Sequence, residues 1–174
     1  MTSELLDGPC KVRLALPRDR LPVQRMLELY QHDLSDIWDQ DLDAHGEYGY
    51  SLDRFCSNSN ECHAYVATVA DRYAGFALVD KAAKVGADAY WMDQFFVLKK
   101  YRGRGIGRHL ALAVLAALPG QWEIGQMPEN HGAQAFWRSV VAACTSGAFE
   151  EQIVSVGGWQ GVVQCFRVSG PRDV

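Results

Sequence analysis

Apolar positions change their spacing several times along the first half of this chain, and each change predicts an element. Alternation over residues 10–16 predicts a strand, and residues 17–19 then begin a helix. After residue 30 the helical period is lost and acids accumulate, so residues 31–50 are predicted to be irregular. The buried positions of the helix are expected to be Val23, Met26, Leu27 and Tyr30.

The next predicted elements are a short helix and a pair of strands. Ser51 is a good helix cap, and residues 51–55 are predicted to form the short helix. Apolar runs over 64–70 and 73–80 are separated by only two residues, which predicts a hairpin.

The second half of the chain alternates strand and helix and ends in another hairpin. Helical spacing is clearest where apolar residues recur at three and four positions. The predicted elements are a strand over 90–98, a helix over 106–118, a strand over 122–126, a helix capped by Asn130, and strands over 149–156 and 162–168.

A glycine-rich turn over residues 101–108 connects the strand over 90–98 to the next helix. Glycine lets an oxyanion approach backbone N–H groups closely, and a helix start carries the positive end of the helix dipole. Arg104 and Arg108, in the first turn, would oppose that dipole unless an anion binds there. The sequence therefore predicts a phosphate site. The turn lacks both the Gly-Lys pair of a P-loop and the third glycine of the dinucleotide fingerprint.

What the turn does contain is Arg-x-x-Gly-x-Gly, at Arg102, Gly105 and Gly107. This pattern resembles the pyrophosphate loop of the GNAT superfamily of acyl-CoA-dependent N-acyltransferases. The preceding strand and the following amphipathic helix are the context in which that superfamily carries the loop.

A second motif lies downstream in the expected order. Asn130 is followed by Ala133 and by the aromatic pair Phe136-Trp137, which resembles the second GNAT motif. The resemblance implies the GNAT fold, an α/β (α+β) architecture. In that fold a mixed, mostly antiparallel sheet of about 6–7 strands is flanked by about four helices.

The resemblance also implies acetyl-CoA as the acyl donor, attacked directly by an amine in a ternary complex. Backbone groups of the central strand would face the pantetheine arm and the thioester. The coenzyme contacts it implies are Phe95, Phe96 and Val97 of the strand, Arg102, Gly103, Arg104, Gly105, Ile106, Gly107 and Arg108 of the turn, and Asn130, Ala133, Phe136 and Trp137 of the later helix.

Trp137 stands where many GNAT enzymes carry a tyrosine that protonates the departing thiolate. An indole N–H is a donor but not a usable acid, so this role is not carried over. Because a thiol pKa lies near ~8.5, the thiolate is a tolerable leaving group that water could protonate. Trp137 is expected to pack against the pantetheine arm or in the core.

The motifs do not determine which residue deprotonates the amine. Asp93, on the strand before the turn, and Glu123, on the next strand, are acids within apolar runs, where burial would raise their pKa. Either carboxylate could instead face solvent at a sheet end or cap a neighbouring group. Both are kept as alternative bases.

The clues to the acceptor lie in the acidic residues 33–47. In the GNAT fold this segment borders the acceptor site, so Trp38, Asp36 and Asp39 are expected to attract a cation by charge and by cation–π contact. A solvated acidic loop explains the same charges. The predicted function is acetyl transfer to an amine of a small, cationic molecule. A protein or peptide N-acetyltransferase and a non-catalytic CoA-binding domain remain alternatives.

Composition narrows the class of protein. The net charge is −4, whereas nucleic-acid-binding modules are usually basic, so no nucleic-acid partner is expected. No run approaches the ~18 apolar residues of a membrane span, and no signal peptide is recognised at the N-terminus. Five scattered cysteines indicate reduced thiols in the cytoplasm, and Cys62-His63 lacks the second pair of a metal site. A single domain over residues 1–174 is expected, with an apolar C-terminal hairpin that could pair in a homodimer.

Overall fold

The structure is a computed structural model that describes residues 8–56 and 61–170. These residues form seven strands and four α-helices. In chain order they are β1 (Cys10–Leu14), α1 (Arg20–Trp38), α2 (Asp53–Cys56), β2 (His63–Val69), β3 (Arg72–Asp80), β4 (Tyr90–Val97), α3 (Ile106–Ala117), β5 (Gly120–Gln126), α4 (His131–Thr145), β6 (Phe149–Val156) and β7 (Trp159–Val168).

The seven strands form one open sheet in the order β1-β2-β3-β4-β5-β7-β6 within the described residues. Strands β4 and β5 pair in parallel, whereas β1 with β2, β5 with β7 and β6 with β7 pair antiparallel. The predicted mixed, mostly antiparallel sheet with four helices is confirmed.

The chain divides into two compact units, which are described separately. The first contains the described residues up to Leu78 together with Gln94–Leu110, and the second contains Val79–Asp93 together with residues 111–170. The division passes through β3, β4 and α3.

The core of the first unit forms because one face of α1 is apolar. Val23, Met26 and Leu27 are almost completely buried against residues of the sheet, among them Phe76 and Phe96. A second apolar cluster contains Val69, Ala74, Val97 and Tyr101.

A buried carboxylate joins three segments of the first unit. Asp19 is fully buried and accepts hydrogen bonds from Arg13 on β1, from the Tyr73 hydroxyl on β3 at 2.6 Å, and from the Leu16 N–H at 2.7 Å. Hydrogen bonds from Arg13 hold the pKa of the Asp19 carboxyl far below its ordinary value, with Tyr73 and Leu16 acting in the same direction against the effect of burial. Asp19 therefore fixes the start of α1 to the sheet.

Helix α1 is longer than the sequence pattern predicted. Residues 17–19 form a 3₁₀ turn, and the helix then runs from Arg20 to Trp38, so the predicted irregular segment from residue 31 was wrong over its first eight positions. Gln31 is 2% exposed and continues the buried face, although its polarity concealed this in the sequence. The helix ends at Asp39, whose φ is +48°. None of the described helices is long and apolar enough to cross a membrane.

The second unit is built on the antiparallel ladder of β5, β7 and β6. Gly157 and Gly158, with φ of +57° and +79°, form the turn between β6 and β7. A two-residue hairpin of this kind favours positive φ at both positions, which glycine adopts without strain. The last strand therefore begins at Trp159, opposite Val156, and not at the predicted residue 162.

Candidate functional site

The turn between β4 and α3 lies in the first unit and presents backbone N–H groups. Gly103 and Gly105 have φ of +71° and +76°, and no heavy atom lies within 4 Å of where their Cβ atoms would be. The Gly105 carbonyl accepts the hydrogen bond of the His109 N–H at 2.9 Å, so α3 begins there. The N–H groups of Ile106, Gly107 and Arg108 belong to the first turn, where no helical partner exists.

Arg104 and Arg108 place positive charge beside these N–H groups. Both side chains are exposed, and neither forms an ion pair with any residue in ranges 8–56 and 61–170. The first turn of α3 contains no acidic residue that would complement the helix dipole. Open N–H groups and two uncompensated cations together fit a phosphate or pyrophosphate.

Arg102, the first residue of the motif, is held differently. Its Nε–H donates to the Val97 carbonyl at 2.7 Å, and its terminal nitrogen contacts Asp33 Oδ2 at 2.6 Å. The guanidinium carbon lies 5.2 Å from the centroid of the Phe96 ring. Arg102 is therefore fixed to the end of β4 and to α1.

Asp33, on α1, also receives a second cation. The Lys99 ammonium lies 3.0 Å from its other carboxylate oxygen. Burial raises the pKa of the Asp33 carboxyl, but the hydrogen bonds and charges of Arg102 and Lys99 outweigh burial and lower the pKa below its ordinary value. The sequence predicted Asp33 only as part of an acidic segment, because no local pattern links it to a residue 69 positions away.

The side chains of Phe95, Phe96 and Val97 contribute to apolar clusters of the first unit. Phe96 packs against Tyr30 and Phe76, with ring centroids 5.7 Å and 5.9 Å away. Val97 belongs to the cluster of Tyr101, and Phe95 packs against that cluster. Contacts from this strand to a ligand are therefore expected from its backbone, as the sequence predicted.

The carboxylates of the acidic segment over 33–47 are of two kinds, those that accept hydrogen bonds from the protein and those that are exposed without ion pairs in the described residues. Asp43 accepts hydrogen bonds from the N–H groups of His45 and Glu47 at 2.8 Å and 3.0 Å, and the backbone bonds from Glu47 and His45 lower its pKa. Asp36 and Asp39, in contrast, are exposed and form no ion pair in the described parts of the chain.

Trp38 lies between Asp36 and Asp39 at the end of α1. Its ring meets the Tyr30 ring edge-on, with centroids 5.8 Å apart. Because Tyr30 also packs against Phe96, this aromatic cluster extends from the end of α1 to β4.

Glu123, in the second unit, is 2% exposed, and its carboxylate is occupied by backbone donors. The N–H groups of Lys84 and Gly86 each lie 2.6 Å from one of its oxygens, and the Val85 N–H lies 3.0 Å from Oε2. Glu123 therefore fixes the loop between β3 and β4. This arrangement matches the alternative in which the Glu123 carboxylate caps a neighbouring group.

Asp93 is partly buried near the end of the β4 segment in the second unit. Trp91 pairs with Glu123 across β4 and β5, and Asp93 follows two residues later on β4.

Asn130 caps α4 as the sequence predicted. Its Oδ1 accepts the hydrogen bond of the Ala133 N–H at 3.1 Å, which leaves its amide nitrogen for other contacts. Trp137 is 4% exposed and packs against Phe136 with ring centroids 5.1 Å apart. Gln134 donates to the carbonyls of Met127 and Pro128, so it fixes the loop that precedes Asn130.

A polar network in the second unit, which runs from the buried Gln126 and Gln164 to the exposed Glu151 and Arg138, had no signal in the sequence. The amides of Gln126 and Gln164 exchange two hydrogen bonds, at 2.9 Å and 3.0 Å. Gln164 also donates to Glu151, which forms a bidentate ion pair with Arg138. The four residues come from β5, β7, β6 and α4, so only the folded structure brings them together.

Comparison with known proteins identifies the family. The model of the Acetyltransferase (GNAT) family matches residues 23–140, more than half of the chain. No curated protein matches the sequence significantly.

Solved structures share the fold at low sequence identity. An acetyltransferase from Thermus thermophilus has a TM-score of 0.65 and 15% identity, covering 92% of this chain and 97% of that one. The ribosomal-protein-S18-alanine N-acetyltransferase from Escherichia coli has a TM-score of 0.61 and 17% identity, covering 95% and 99%. PaiA N-acetyltransferase from Thermoplasma acidophilum, solved with coenzyme A, has a TM-score of 0.59 and 13% identity, covering 90% and 98%.

Proposed function

Because the chain belongs to the GNAT family of acyl-CoA-dependent N-acetyltransferases, we propose that it transfers the acetyl group of acetyl-CoA to an amine of a small, cationic molecule. The observation that carries this choice of acceptor is the end of α1. There, Asp36 and Asp39 are exposed without ion pairs in the described residues, and Trp38 stands between them in the sequence. A carboxylate and an indole face both attract cations.

The donor is held through its phosphates. The N–H groups at the start of α3 and the side chains of Arg104 and Arg108 bind the pyrophosphate, because these groups have no competing anion within the described residues. The predicted role in coenzyme binding is kept for four residues at the start of α4: Asn130, Ala133, Phe136 and Trp137. Trp137 is buried, so its contribution is to pack within the protein.

The reaction is a direct acyl transfer. The amine nitrogen attacks the thioester carbonyl carbon, a C–N bond forms, the C–S bond breaks, and the thiolate leaves to be protonated by water. A backbone N–H in the region of Phe95, Phe96 and Val97 stabilises the oxyanion of the tetrahedral intermediate. One such donor contributes roughly 3 kcal/mol in other acyl-transfer sites.

Asp93 is the better of the two predicted bases. The carboxylate of Glu123 would have to give up hydrogen bonds to three backbone N–H groups before it could take a proton. Asp93 is partly buried on β4, two residues before Phe95. Asp93→Asn is expected to flatten the limb of the pH profile of kcat/KM that reports the general base. An unchanged pH profile would exclude Asp93.

The acceptor class is tested with a panel of amines. Cationic, neutral and acidic small amines and lysine peptides are compared by release of CoA thiol, in the wild type and in Asp36→Asn with Asp39→Asn. We expect cationic small amines to react fastest and the double variant to raise their KM about tenfold, because two exposed attractive charges are lost. Preference for neutral amines, or an unchanged KM, would refute the acceptor class. Turnover of peptides alone would indicate a protein N-acetyltransferase, and no turnover a CoA-binding domain.

A homodimer is also proposed, through strand β6. This strand lies at the edge of the sheet, and Ile153 on it is 78% exposed. An exposed apolar edge strand is a template for pairing with a second copy. Light scattering of the wild type and of Ile153→Lys tests this, and a monomeric wild type would refute it.

A further inference from the structure

Arg102 and its two neighbouring arginines differ in what holds them, and Asp33 makes the difference. Arg104 and Arg108 extend from the turn without a partner in the described parts of the chain. The guanidinium of Arg102 is held at three points: the Val97 carbonyl, the Phe96 ring and Asp33. Of these three, only Asp33 belongs to a different element from the strand that precedes the turn.

The backbone before the glycines is fixed largely through this arrangement. Tyr101 is buried in the cluster of Val69, Ala74 and Val97, and Arg102 follows it at once. After Arg102, the positions of Gly103 and Gly105 have no neighbouring heavy atom within 4 Å that a Cβ would touch. Arg102 is therefore the last side-chain anchor before the N–H groups that bind phosphate.

We propose that Asp33 is a positioning residue for coenzyme binding, which holds Arg102 and thereby the geometry of the phosphate-binding turn. The inference rests on the coenzyme site of the proposed function and adds a residue of α1 to it. In this role Asp33 acts on acetyl-CoA affinity through Arg102, without touching the coenzyme itself.

The direction of the change in CoA affinity distinguishes a positioning role of Asp33 from a direct effect of its charge. Asp33 is an anion close to Lys99 and Arg102, and removing it makes the surroundings of the turn more positive. By charge alone, Asp33→Asn would strengthen the binding of a phosphate ligand. If Asp33 positions Arg102, the same substitution weakens binding, because a turn that is no longer held must be ordered by the ligand.

The experiment measures the Kd of CoA by calorimetry for the wild type, Asp33→Asn and Arg102→Lys. Arg102→Lys keeps the positive charge but lacks the planar fork that reaches Val97 and Asp33 together. We expect both variants to bind CoA about tenfold more weakly, the affinity equivalent of one charge-assisted hydrogen bond. Asp33→Glu, which restores the carboxylate, is expected to recover part of the loss.

Asp53→Asn is the matched control. It breaks another aspartate–arginine ion pair of the first unit, between Asp53 and Arg20 at 2.5 Å, with the same change in net charge. Its Kd for CoA is expected to equal that of the wild type. Apo melting temperatures are recorded for all variants, so that lost stability is separated from lost affinity.

Three outcomes overturn the inference. Tighter CoA binding by Asp33→Asn would make Asp33 a competitor of the phosphates. An unchanged Kd, whether or not the melting temperature falls, would leave Asp33 at most a structural residue. If the wild type does not bind CoA, the proposed coenzyme site is refuted as well. If the wild type binds CoA and Asp33→Asn binds it equally well, only the role of Asp33 is refuted.

Discussion

Two groups of backbone N–H donors in this protein meet negative charge in opposite ways. In the second unit, the N–H groups of Lys84, Val85 and Gly86 all donate to the buried carboxylate of Glu123. In the first unit, the N–H groups at the start of α3 have cations beside them and no acidic residue in the first turn. The donors are chemically the same, but only the first group is satisfied by the protein itself.

The difference teaches how a ligand site is distinguished from a structural turn. A cluster of N–H groups costs free energy when it is buried without an acceptor, so a structural cluster needs an internal acceptor. Glu123 supplies that acceptor in the loop over 84–86. At the turn over 101–108 the acceptor must come from outside, and the exposed Arg104 and Arg108 favour one with several negative charges.

The largest effect is expected from removing the internal anion. Glu123→Gln replaces one acceptor oxygen by an NH₂ group that faces backbone N–H donors, so the buried donors lose their partner. We expect the free energy of unfolding to fall by about 3 kcal/mol. For a chain of this size the melting temperature should fall by roughly 6–12 °C.

The exposed pair between Arg138 and Glu151 provides a control for this prediction. Arg138→Gln removes a charge from the second unit at a side chain that is 46% exposed, where ion pairs contribute little. A Glu123→Gln variant as stable as Arg138→Gln would contradict the role of Glu123 as an internal anion.

Substitutions in the turn over 101–108 are expected to change the affinity for CoA and not the stability of the protein. Arg104→Gln with Arg108→Gln removes both exposed cations and should weaken CoA binding about 100-fold, since each charge-assisted contact with a phosphate is worth about tenfold. The apo protein should be as stable as the wild type or slightly more so, because cations at a helix start oppose the dipole. Calorimetry and thermal unfolding check the two halves of this prediction. A destabilised apo protein would show that the arginines have structural partners.

This contrast also explains which parts of the molecule the sequence could predict. The phosphate turn and the Asn130 cap are local, so the spacing of Arg102, Gly105, Gly107 and Asn130 carried enough information. The bonds of Glu123 to residues 84–86 and of Asp33 to Arg102 join distant positions, and no local pattern encodes them. The end of α1 was missed for a different reason: Gln31 occupies a buried helical position with a polar side chain, which hides the period.

A second internal anion, Asp19, should make the stability of the first unit depend on pH. Hydrogen bonds from Arg13 lower the pKa of its carboxyl in the folded state, so the unfolded chain binds this proton more tightly. The stabilisation is fully present above the unfolded pKa near ~3.9 and is lost as the pH falls towards the folded pKa. Asp19→Asn should therefore cost on the order of 2 kcal/mol at neutral pH, and the difference from the wild type should shrink in acid.

Urea unfolding from about pH 7 down to about pH 3 measures this convergence. Asp71→Asn is the control, because Asp71 pairs with Lys11 at a side chain that is 85% exposed. A constant difference between Asp19→Asn and the wild type across this range would show that the carboxyl does not carry the pH dependence.

The smallest expected effect compares a glycine of the turn over 101–108 with a glycine of the loop over 84–86. Gly105 has φ of +76° in open space, so an alanine there meets backbone strain but no steric contact from the protein. Gly105→Ala should lower the free energy of unfolding by roughly 1 kcal/mol, the cost of placing an L-residue in the left-handed region. At Gly86, an added Cβ would lie 3.5 Å from Glu123 Oε1, an ordinary contact, so the free energy of unfolding of Gly86→Ala should stay within about 0.5 kcal/mol of the wild type.

The two variants should also differ in CoA affinity. Gly105→Ala should weaken CoA binding, because its methyl group stands where a phosphate must approach the backbone. Gly86→Ala should leave CoA binding unchanged, because the N–H groups of its loop already donate to a carboxylate. Equal CoA affinities of the two alanine variants would mean that the turn over 101–108 holds no phosphate. The proposal that its N–H groups bind an anion from outside the protein would then be refuted.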